Sequence, residues 1–357
     1  MQKTPIILFI LFVLTSCSSE SVFTAEVKDI VQPEEVVEVS VDKIETDHLY
    51  SQFFAVYDTL LISCLPNSSE YFFHVSDLTN NQSVGSFMHY GEGPDEYFGL
   101  APIKRIERKG NDLVSITYEP NKRQLIEWNI TQSIENGRDS ILRIGHYKNP
   151  NDAGITYAKL YRIGKSEYLG RTTGKRVGEN LLLPAYWILD GPNIEPVQGI
   201  SIVKEMIPNT HSKEPDFSFF NSCSDLSPDN TKIVDAMNWL EQINIIHLQN
   251  DSVASYRIAG SPDEGIFRTK TGPVILQYED VVCDTNAIYA LYFGEPSDMF
   301  KDLHGSYWIH EFDWNGNFKA KYHLPVPIMR LWLDHSNNTL YGYNIEDALY
   351  KLNIGSH

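Results

Sequence analysis

The stretch SYWIHEFDWNGNFKAKYHL, residues 306–324, contains two runs rich in aromatic and β-branched residues on either side of Asn315-Gly316. Asn-Gly at this position predicts a hairpin turn, because both residues tolerate a positive φ. Two further runs precede the stretch, DVVC at 280–283 and AIYALYF at 287–293. The region therefore predicts four consecutive antiparallel strands. The chain lacks a long 3.6-residue apolar period, so helices should be scarce.

The same plan recurs along the chain as a polar turn followed at once by a short apolar strand. Six such units of about 55 residues favour radial repetition into a β-propeller over the alternative of a β-sandwich. The equivalent strand positions are Leu60, Leu113, Tyr168, Ile233, Ile288 and Leu340, with steps of 53, 55, 65, 55 and 52 residues.

The two ends of the chain support the propeller. The sixth unit supplies IMRLWLD, TLYGYN and ALYKLNI and then stops, one strand short of four. Near the other end, VVEVSV at residues 36–41 is a strand without a unit of its own. Pairing it into the last blade would remove an exposed edge. We therefore predict an all-β, six-bladed β-propeller whose last blade is closed by an N-terminal strand.

The N-terminus carries an export signal. Ile6–Leu14 is an apolar run of nine residues, about 14 Å as a helix, which is too short to cross a membrane but fits a secretory signal. The next residues complete Leu14-Thr15-Ser16-Cys17, which resembles a bacterial lipobox. This pattern predicts a signal peptide over residues 1–16, a lipidated Cys17, a tether over 17–34 and the propeller over 35–357. The alternative is an ordinary signal that is cleaved elsewhere.

The amino-acid composition limits the kinds of partner that the protein can bind. The formal net charge is −18 and the isoelectric point about 5.0, so nucleic acid and anionic lipid surfaces would be repelled. Only Cys64, Cys223 and Cys283 remain after lipidation, which allows at most one disulfide and excludes a disulfide scaffold.

A glycine-rich connector precedes the second unit. HYGEGPDEYFG, residues 89–99, has a related version, GSPDEGIF, at residues 260–267. The same residue types at an equivalent place, three units apart, indicate a backbone requirement: glycines for positive φ, proline for a fixed φ and acids that bond nearby amides. The alternative is a direct ligand role for Glu96 or Tyr97.

Several motifs resemble known propeller repeats. GEGPDEY, followed by APIKRI and LVSITYEPNKRQLIEW, resembles the repeat of NHL-type propellers, in which Asn121 and Arg123 match polar positions. Ser227-Pro228-Asp229 resembles a turn of TolB-type and WD-repeat propellers, with Asn230 in place of glycine. With the lipobox, the chain is similar to TolB-like six-bladed propeller lipoproteins of Bacteroidota. The resemblance implies an outer-membrane lipoprotein that faces the periplasm or the cell surface, and it implies no particular activity.

The stretches of sequence that resemble catalytic motifs lack residues that those motifs need. Gly170 to Lys175 has three residues between its glycines where a phosphate loop needs four, and Arg176 replaces the required Ser or Thr. The sequence has no Gly-x-Ser-x-Gly elbow and no His-Glu-x-x-His. His304 and His310 fit surface or core histidines better than a metal pair. We therefore predict no catalytic residue, no metal and no cofactor.

In propellers, the connectors between blades share one face with the loops between second and third strands. Two of these loops are long here, at residues 172–180 and 294–305. Arg171, Lys175 and Arg176 in or beside the first could receive a carboxylate or another anion. Trp239 follows the second strand of unit four and could offer an aromatic platform. The alternative for each is a solvated loop.

Two functional classes remain. The first is a non-catalytic binding or scaffold module of the cell envelope, anchored through Cys17, that recognises a glycan, a peptide or a partner protein. The second is an envelope hydrolase or lyase that acts on a saccharide or peptide at the central channel. Acids and histidines that converge at the channel would favour the enzyme, whereas an aromatic and polar face would favour binding.

Overall fold

The fold was analysed in a computed structural model. The structure describes residues 21–46, 53–66, 68–93, 95–150, 157–177, 180–191, 193–205, 220–267, 275–296, 307–344 and 346–354. Within these ranges, no helix has the length and apolar character needed to cross a membrane.

The N-terminal part of the described chain forms three short strands: β1 (Val27–Ile30), β2 (Val36–Glu38) and β3 (Ser40–Ile44). Six blades follow, each an antiparallel sheet whose first strand faces the centre of the ring. Blades one to three are β4–β7 (Phe54–Tyr57, Leu60–Cys64, Tyr71–Asp77, Gln82–His89), β8–β11 (Ile106–Lys109, Asp112–Glu119, Gln124–Asn129, Ile141–His146) and β12, β13, β16 and β17 (Tyr157–Arg162, Tyr168–Thr172, Ala185–Asp190, Glu195–Ile200). A small hairpin, β14 (Lys175–Val177) with β15 (Asn180–Leu182), extends blade three.

Blades four to six are β18–β21 (Ser222–Leu226, Lys232–Met237, Gln242–His247, Ser252–Ile258), β22–β25 (Ile275–Cys283, Ala287–Pro296, Tyr307–Asp313, Phe318–Leu324) and β26–β28 (Arg330–Asp334, Thr339–Tyr343, Leu349–Asn353). The predicted six-bladed propeller is therefore confirmed. All six equivalent positions of the sequence repeat lie on the second strand of their blade.

The repeat reflects the turn between the first and second strands of each blade. In four blades this turn contains a residue with a positive φ, a conformation that favours glycine, asparagine and aspartate. The apolar strand that follows packs between neighbouring blades, as does Trp128, which is fully buried and stacks on Phe73 of blade one with ring centroids 4.9 Å apart. The positive-φ residues of these turns are Asp58 (54°), Gly110 (62°), Asn230 (60°) and Asn338 (53°).

The last blade is closed by an N-terminal strand, as predicted, but the closing strand is β3 rather than the whole of residues 36–41. β3 pairs antiparallel with β28, from Ser40 opposite Asn353 to Ile44 opposite Leu349. β2 instead adds to the outer edge of blade five, parallel to β25. The chain passes between the two blades at Val39, which is buried and donates its N–H to His323 O at 3.1 Å.

The described part of the expected tether packs on the propeller. β1 adds parallel to β21 of blade four, and Phe23 forms a bridge with Val203 beside blade three. Val22 and Phe23 are buried in the apolar cluster between blades three and four. We call residues 22–44 the N-terminal belt, because this segment passes along the outer edges of blades three to six in turn. Within the belt the sequence predicts only the strand run at 36–41, and β1 was missed because four residues are too few to show a period.

A short α-helix of seven residues, α1 (Ile130–Asn136), joins the last two strands of blade two. Its N-terminus is capped by Asn129, whose side chain accepts from Gln132 N at 2.9 Å. Its C-terminus ends at Gly137 with a φ of 61°. Asparagine before and glycine after a seven-residue segment are ordinary helix-end signals.

Candidate binding channel

A cavity of about 460 Å³ lies at the centre of the ring. Its walls come chiefly from the first strands of the blades and the residues just before them. This volume falls within the range of small-molecule sites, about 300–1,000 Å³. The charged residues of the wall are Lys104, Arg105, Lys159, Asp225, Glu279, Asp280 and Arg330, and its aromatic residues are Phe53, Phe54, Tyr161, Trp239 and Trp332.

Two carboxylates of the channel join neighbouring blades. Asp225 on blade four accepts from Cys283 N at 3.0 Å, and Asp280 on blade five accepts from Leu331 N at 2.9 Å. First strands of adjacent blades belong to different sheets and do not pair with each other, so their inward N–H groups need side-chain acceptors. These acids therefore complete the backbone hydrogen bonding of the ring. Burial raises the pKa of Asp225.

The third carboxylate of the channel is neutralised locally. Glu279 forms an ion pair with Arg330 on the neighbouring blade. The same guanidinium nitrogen, Nη1, donates to Met329 O at 2.9 Å. Burial raises the pKa of the Glu279 carboxyl, while Arg330 opposes this shift. The pair fixes both groups in the wall of the channel.

Arg105 links blade two to the first turn of blade four. Its Nη1 donates to Asn230 Oδ1 at 2.6 Å and its Nη2 to Ser227 O at 3.2 Å. Asn230 is the residue that replaces glycine in the Ser-Pro-Asp turn, and its φ of 60° is tolerated by asparagine. The substitution thus preserves the turn and adds an acceptor for an arginine of the channel.

Two lysines of the channel lack a carboxylate partner among the described residues. Lys159 on β12 donates from Nζ to Ser224 O at 2.8 Å, an uncharged acceptor. Burial, together with the charge of Lys104, lowers the pKa of Lys159 from 10.5 to about 8. Lys104 lies over the ring of Phe53, with Nζ 5.8 Å from the ring centre.

The aromatic wall stands beside these lysines. The hydroxyl of Tyr161, two residues after Lys159 on the same side of β12, donates to the same Ser224 O at 3.0 Å. Trp239 lies in the turn between β19 and β20 and packs against two apolar clusters of the ring. Its neighbour Asn238 donates to Tyr278 O at 2.5 Å, which fastens this turn to blade five.

Of the residues predicted from the sequence, Trp239 lines the channel and Arg171 lies directly behind its wall. Arg171 Nη2 donates to Ser222 Oγ at 2.5 Å, and its Nε lies 3.7 Å from Asp235 Oδ2. Tyr186 donates to the same Asp235 oxygen at 2.6 Å. Arg171 is therefore engaged in a buried network that joins blade three to Ser222 and Asp235 of blade four, and its charge acts on the channel from one strand away.

Glu96 and Tyr97 lie in the connector between blades one and two, outside the channel wall. Glu96 Oε2 accepts from Gly93 N at 2.7 Å, and Tyr97 N donates to His89 O at 2.9 Å. Tyr97 is buried, and burial raises its pKa to about 12. These contacts support the backbone interpretation of the connector. Gly91, with a φ of 155°, has the positive value expected there, whereas Gly93 does not.

The remaining predicted residues lie away from the channel or outside the description. Arg123 is exposed in the turn between β9 and β10, with a φ of 52°. Lys175 and Arg176 belong to the backbone of β14, and their side chains lie outside the described structure. Cys17, His304 and most of residues 294–305 also fall outside the described residues. The three other cysteines are buried free thiols.

His310 is a core residue of blade five. Its ring stacks on Tyr292 with centroids 4.2 Å apart, and its Nδ1 lies 3.2 Å from the hydroxyl of Tyr278. Burial lowers its pKa well below the ordinary value, so the imidazole is neutral at physiological pH. This agrees with the interpretation of His310 as a core histidine.

The channel residues Lys104, Lys159 and Arg330 were missed at the level of sequence. The long loops were the sites predicted from the sequence, whereas these cations come from first strands or from the residues just before them. A signal was present, since APIKRI (101–106) and YAKLYR (157–162) each contain two basic residues among mainly apolar ones. Strand charges of this kind are informative only once a strand is known to be the innermost of its blade.

Comparisons with known proteins support the fold. No family model matches the sequence, and no curated protein is significantly similar to it. Two solved structures are similar in fold: an exported protein from Bacteroides fragilis (10% identity, 92% of this chain and 99% of that chain, TM-score 0.53) and a DUF4221 family member from Bacteroides vulgatus (10%, 92% and 96%, TM-score 0.52). Regucalcin from Agrobacterium tumefaciens is more distant (11%, 90% and 96%, TM-score 0.47). At these identities the likeness shows the propeller fold alone.

Proposed function

We propose that the protein is a non-catalytic binding propeller of the cell envelope that holds a glycan, a peptide or part of a partner protein at its central channel. The observation that carries this proposal is the cavity of about 460 Å³, in which aromatic side chains and cations face one space. Apolar walls with a few placed polar groups are typical of ligand sites.

The acids of the channel support binding rather than hydrolysis. Sugar hydrolysis uses two carboxyl groups, one of which must donate a proton while the other attacks or activates water. Asp225 and Asp280 accept backbone N–H groups of the next blade, and Glu279 pairs with Arg330. Each carboxylate thus has a structural partner that a catalytic role would have to displace.

One observation favours the alternative of a lyase. Lys159 has a pKa of about 8, and an amine with a lowered pKa is suited to accept a proton at neutral pH. Turnover must therefore be measured together with binding.

Placement in the envelope is part of the proposal. The Leu14-Thr15-Ser16-Cys17 motif supports lipidation of Cys17 and retention on the outer membrane. The similarity in fold to an exported Bacteroides protein is compatible with this location. The relation to TolB-like and NHL-type propellers also stays a prediction, because no family model matches.

The test is a glycan and peptide binding screen on the mature body, with turnover measured on every ligand that binds. We expect binding without turnover, and weaker binding by a Trp239→Ala variant that remains folded. Cleavage of a bound saccharide or peptide would replace the proposal with the enzyme. Full affinity in Trp239→Ala and in the channel lysine variants described below would place the site elsewhere.

A further inference from the structure

We propose that the ligand of the central channel carries a carboxylate or phosphate group, which is held by the ammonium groups of Lys104 and Lys159. This inference rests on the proposed binding function and names the chemical class of its ligand.

The first observation is the charge of the cavity wall. At neutral pH the wall contains four positively charged side chains, Lys104, Arg105, Lys159 and Arg330, and three acids, Asp225, Glu279 and Asp280. His335 also lines the wall, and burial lowers its pKa, so it adds no charge. The balance is one positive charge in a protein whose net charge is −18. The interior of the channel is therefore opposite in sign to the protein as a whole, and this contrast is a means of selecting anions.

The second observation is that these basic side chains differ in the hydrogen bonds and ion pairs that they already make. Arg330 pairs with Glu279, and Arg105 donates two hydrogen bonds to the turn of blade four. Lys159 donates to one backbone carbonyl, and Lys104 has neither a hydrogen bond nor an ion pair with the residues that the structure describes. An ammonium has three donors. The two lysines therefore retain donors that can meet an anion in the cavity.

The groups around Lys159 do not supply that anion. Lys104 and Arg171 lower the pKa of its ammonium together with burial, while Asp280 and Cys223 act in the opposite direction without restoring the ordinary value. Asp280 accepts Leu331 N and Val281 N, and the Cys223 thiol stays protonated because burial raises its pKa. Asp225 also interacts electrostatically with Lys159, but its carboxylate accepts from Cys283 N on the neighbouring blade. Lys159 is thus a buried cation without an ion pair among the described residues, and a bound anion would supply one.

The experiment uses three small probes: acetate, inorganic phosphate, and acetamide as the uncharged match to acetate. They are titrated into lysine-labelled protein while NMR follows the ε-methylene signals, assigned through Lys104→Gln, Lys159→Gln and Lys351→Gln. We expect saturable shifts of Lys104 and Lys159 with acetate, phosphate or both, and none with acetamide. Preference between the two anions identifies the ligand as carboxylate or phosphate. Lys351, an exposed lysine of blade six, should not shift.

Lysine variants distinguish binding at this site from an effect of the overall charge of the protein. Lys104→Gln and Lys159→Gln should each weaken anion binding about tenfold, or 1.4 kcal/mol, whereas Lys351→Gln, with the same change of net charge, should leave it unchanged. Lys159→Arg should retain binding. Affinity of the wild type should fall as the pH rises above about 8, because Lys159 then loses its proton. The Lys159→Arg variant should lose this dependence, since arginine stays charged.

Failure of the inference is distinguishable from failure of the proposed function. Equal shifts with acetamide, equal effects of Lys351→Gln, or no saturable shift at either channel lysine would overturn the anion site. If an uncharged glycan from the binding screen then shifts the Lys104 and Lys159 signals, the channel is still the binding site. Anion binding at the lysines, with all screened ligands bound on another surface, would instead contradict the proposed function alone.

Discussion

Replacing Phe23 with alanine tests whether the N-terminal belt is part of the folded propeller. Phe23 is 2% exposed and packs in the cluster between blades three and four, and it forms a bridge with Val203. Truncation of a buried phenylalanine typically costs about 3–5 kcal/mol, through lost burial and the cavity that remains. This is a large part of a usual domain stability of about 5–15 kcal/mol.

The assay is equilibrium denaturation of the mature body, with Val31→Ala as the matched control. Val31 belongs to the same segment but is 82% exposed, so its truncation should change the free energy of unfolding by less than about 0.5 kcal/mol. If the segment were a free tether, neither variant would change the free energy of unfolding. Equal unfolding free energies for Phe23→Ala and the wild type would therefore refute the packing of the belt.

Four further predictions concern other parts of the molecule. Gly91→Ala should lower the unfolding free energy by at least about 1 kcal/mol, because its Cβ would lie 2.0 Å from Glu96 Oε2 at a φ of 155°; unchanged denaturation would contradict this. Asp280→Ala should cost about 1–3 kcal/mol by orphaning an N–H of the next blade, and equal denaturation midpoints would argue against the inter-blade bond. Lys159→Met should have a higher free energy of unfolding than the wild type below pH 8. The difference should shrink between pH 8 and 10.5, because in this range the lysine is protonated in the unfolded wild type but neutral in the folded protein; a difference independent of pH would exclude a lowered pKa. Cys17→Ala should leave the membrane fraction or accumulate as precursor, and normal partition would exclude lipidation.

The architecture could be predicted because its cause is local. A tight turn between the first two strands of a blade needs residues that accept a positive φ, and the strand that follows must be apolar to pack between blades. These needs place Asp58, Asn230 and Asn338 at the same position of their repeat units. The sequence also revealed that one strand was missing at the end, and β3 supplies it. The attachment of β1 and β2 to the outer edges of blades four and five was not predicted, because strands of three or four residues leave no periodic signal.

The site was harder to predict because its residues are distant in sequence. Lys104, Lys159 and Arg330 come together only after three different blades are arranged around one axis. The sequence drew attention instead to Arg171, whose guanidinium is already paired with Asp235 and Ser222 of the neighbouring blade. Whether a basic side chain can bind a ligand depends on which residues surround it after folding. Trp239 was predicted correctly because the turn that carries it could be located from the strand pattern.

Occupation of the channel by the ligand can be observed in a crystal structure of the protein with the tightest ligand of the binding screen. We expect ligand density within the ring, against Trp239 and with an anionic group at Lys104 and Lys159. Density confined to the outer edges of the blades or to the connector at Glu96, with an empty channel, would contradict it.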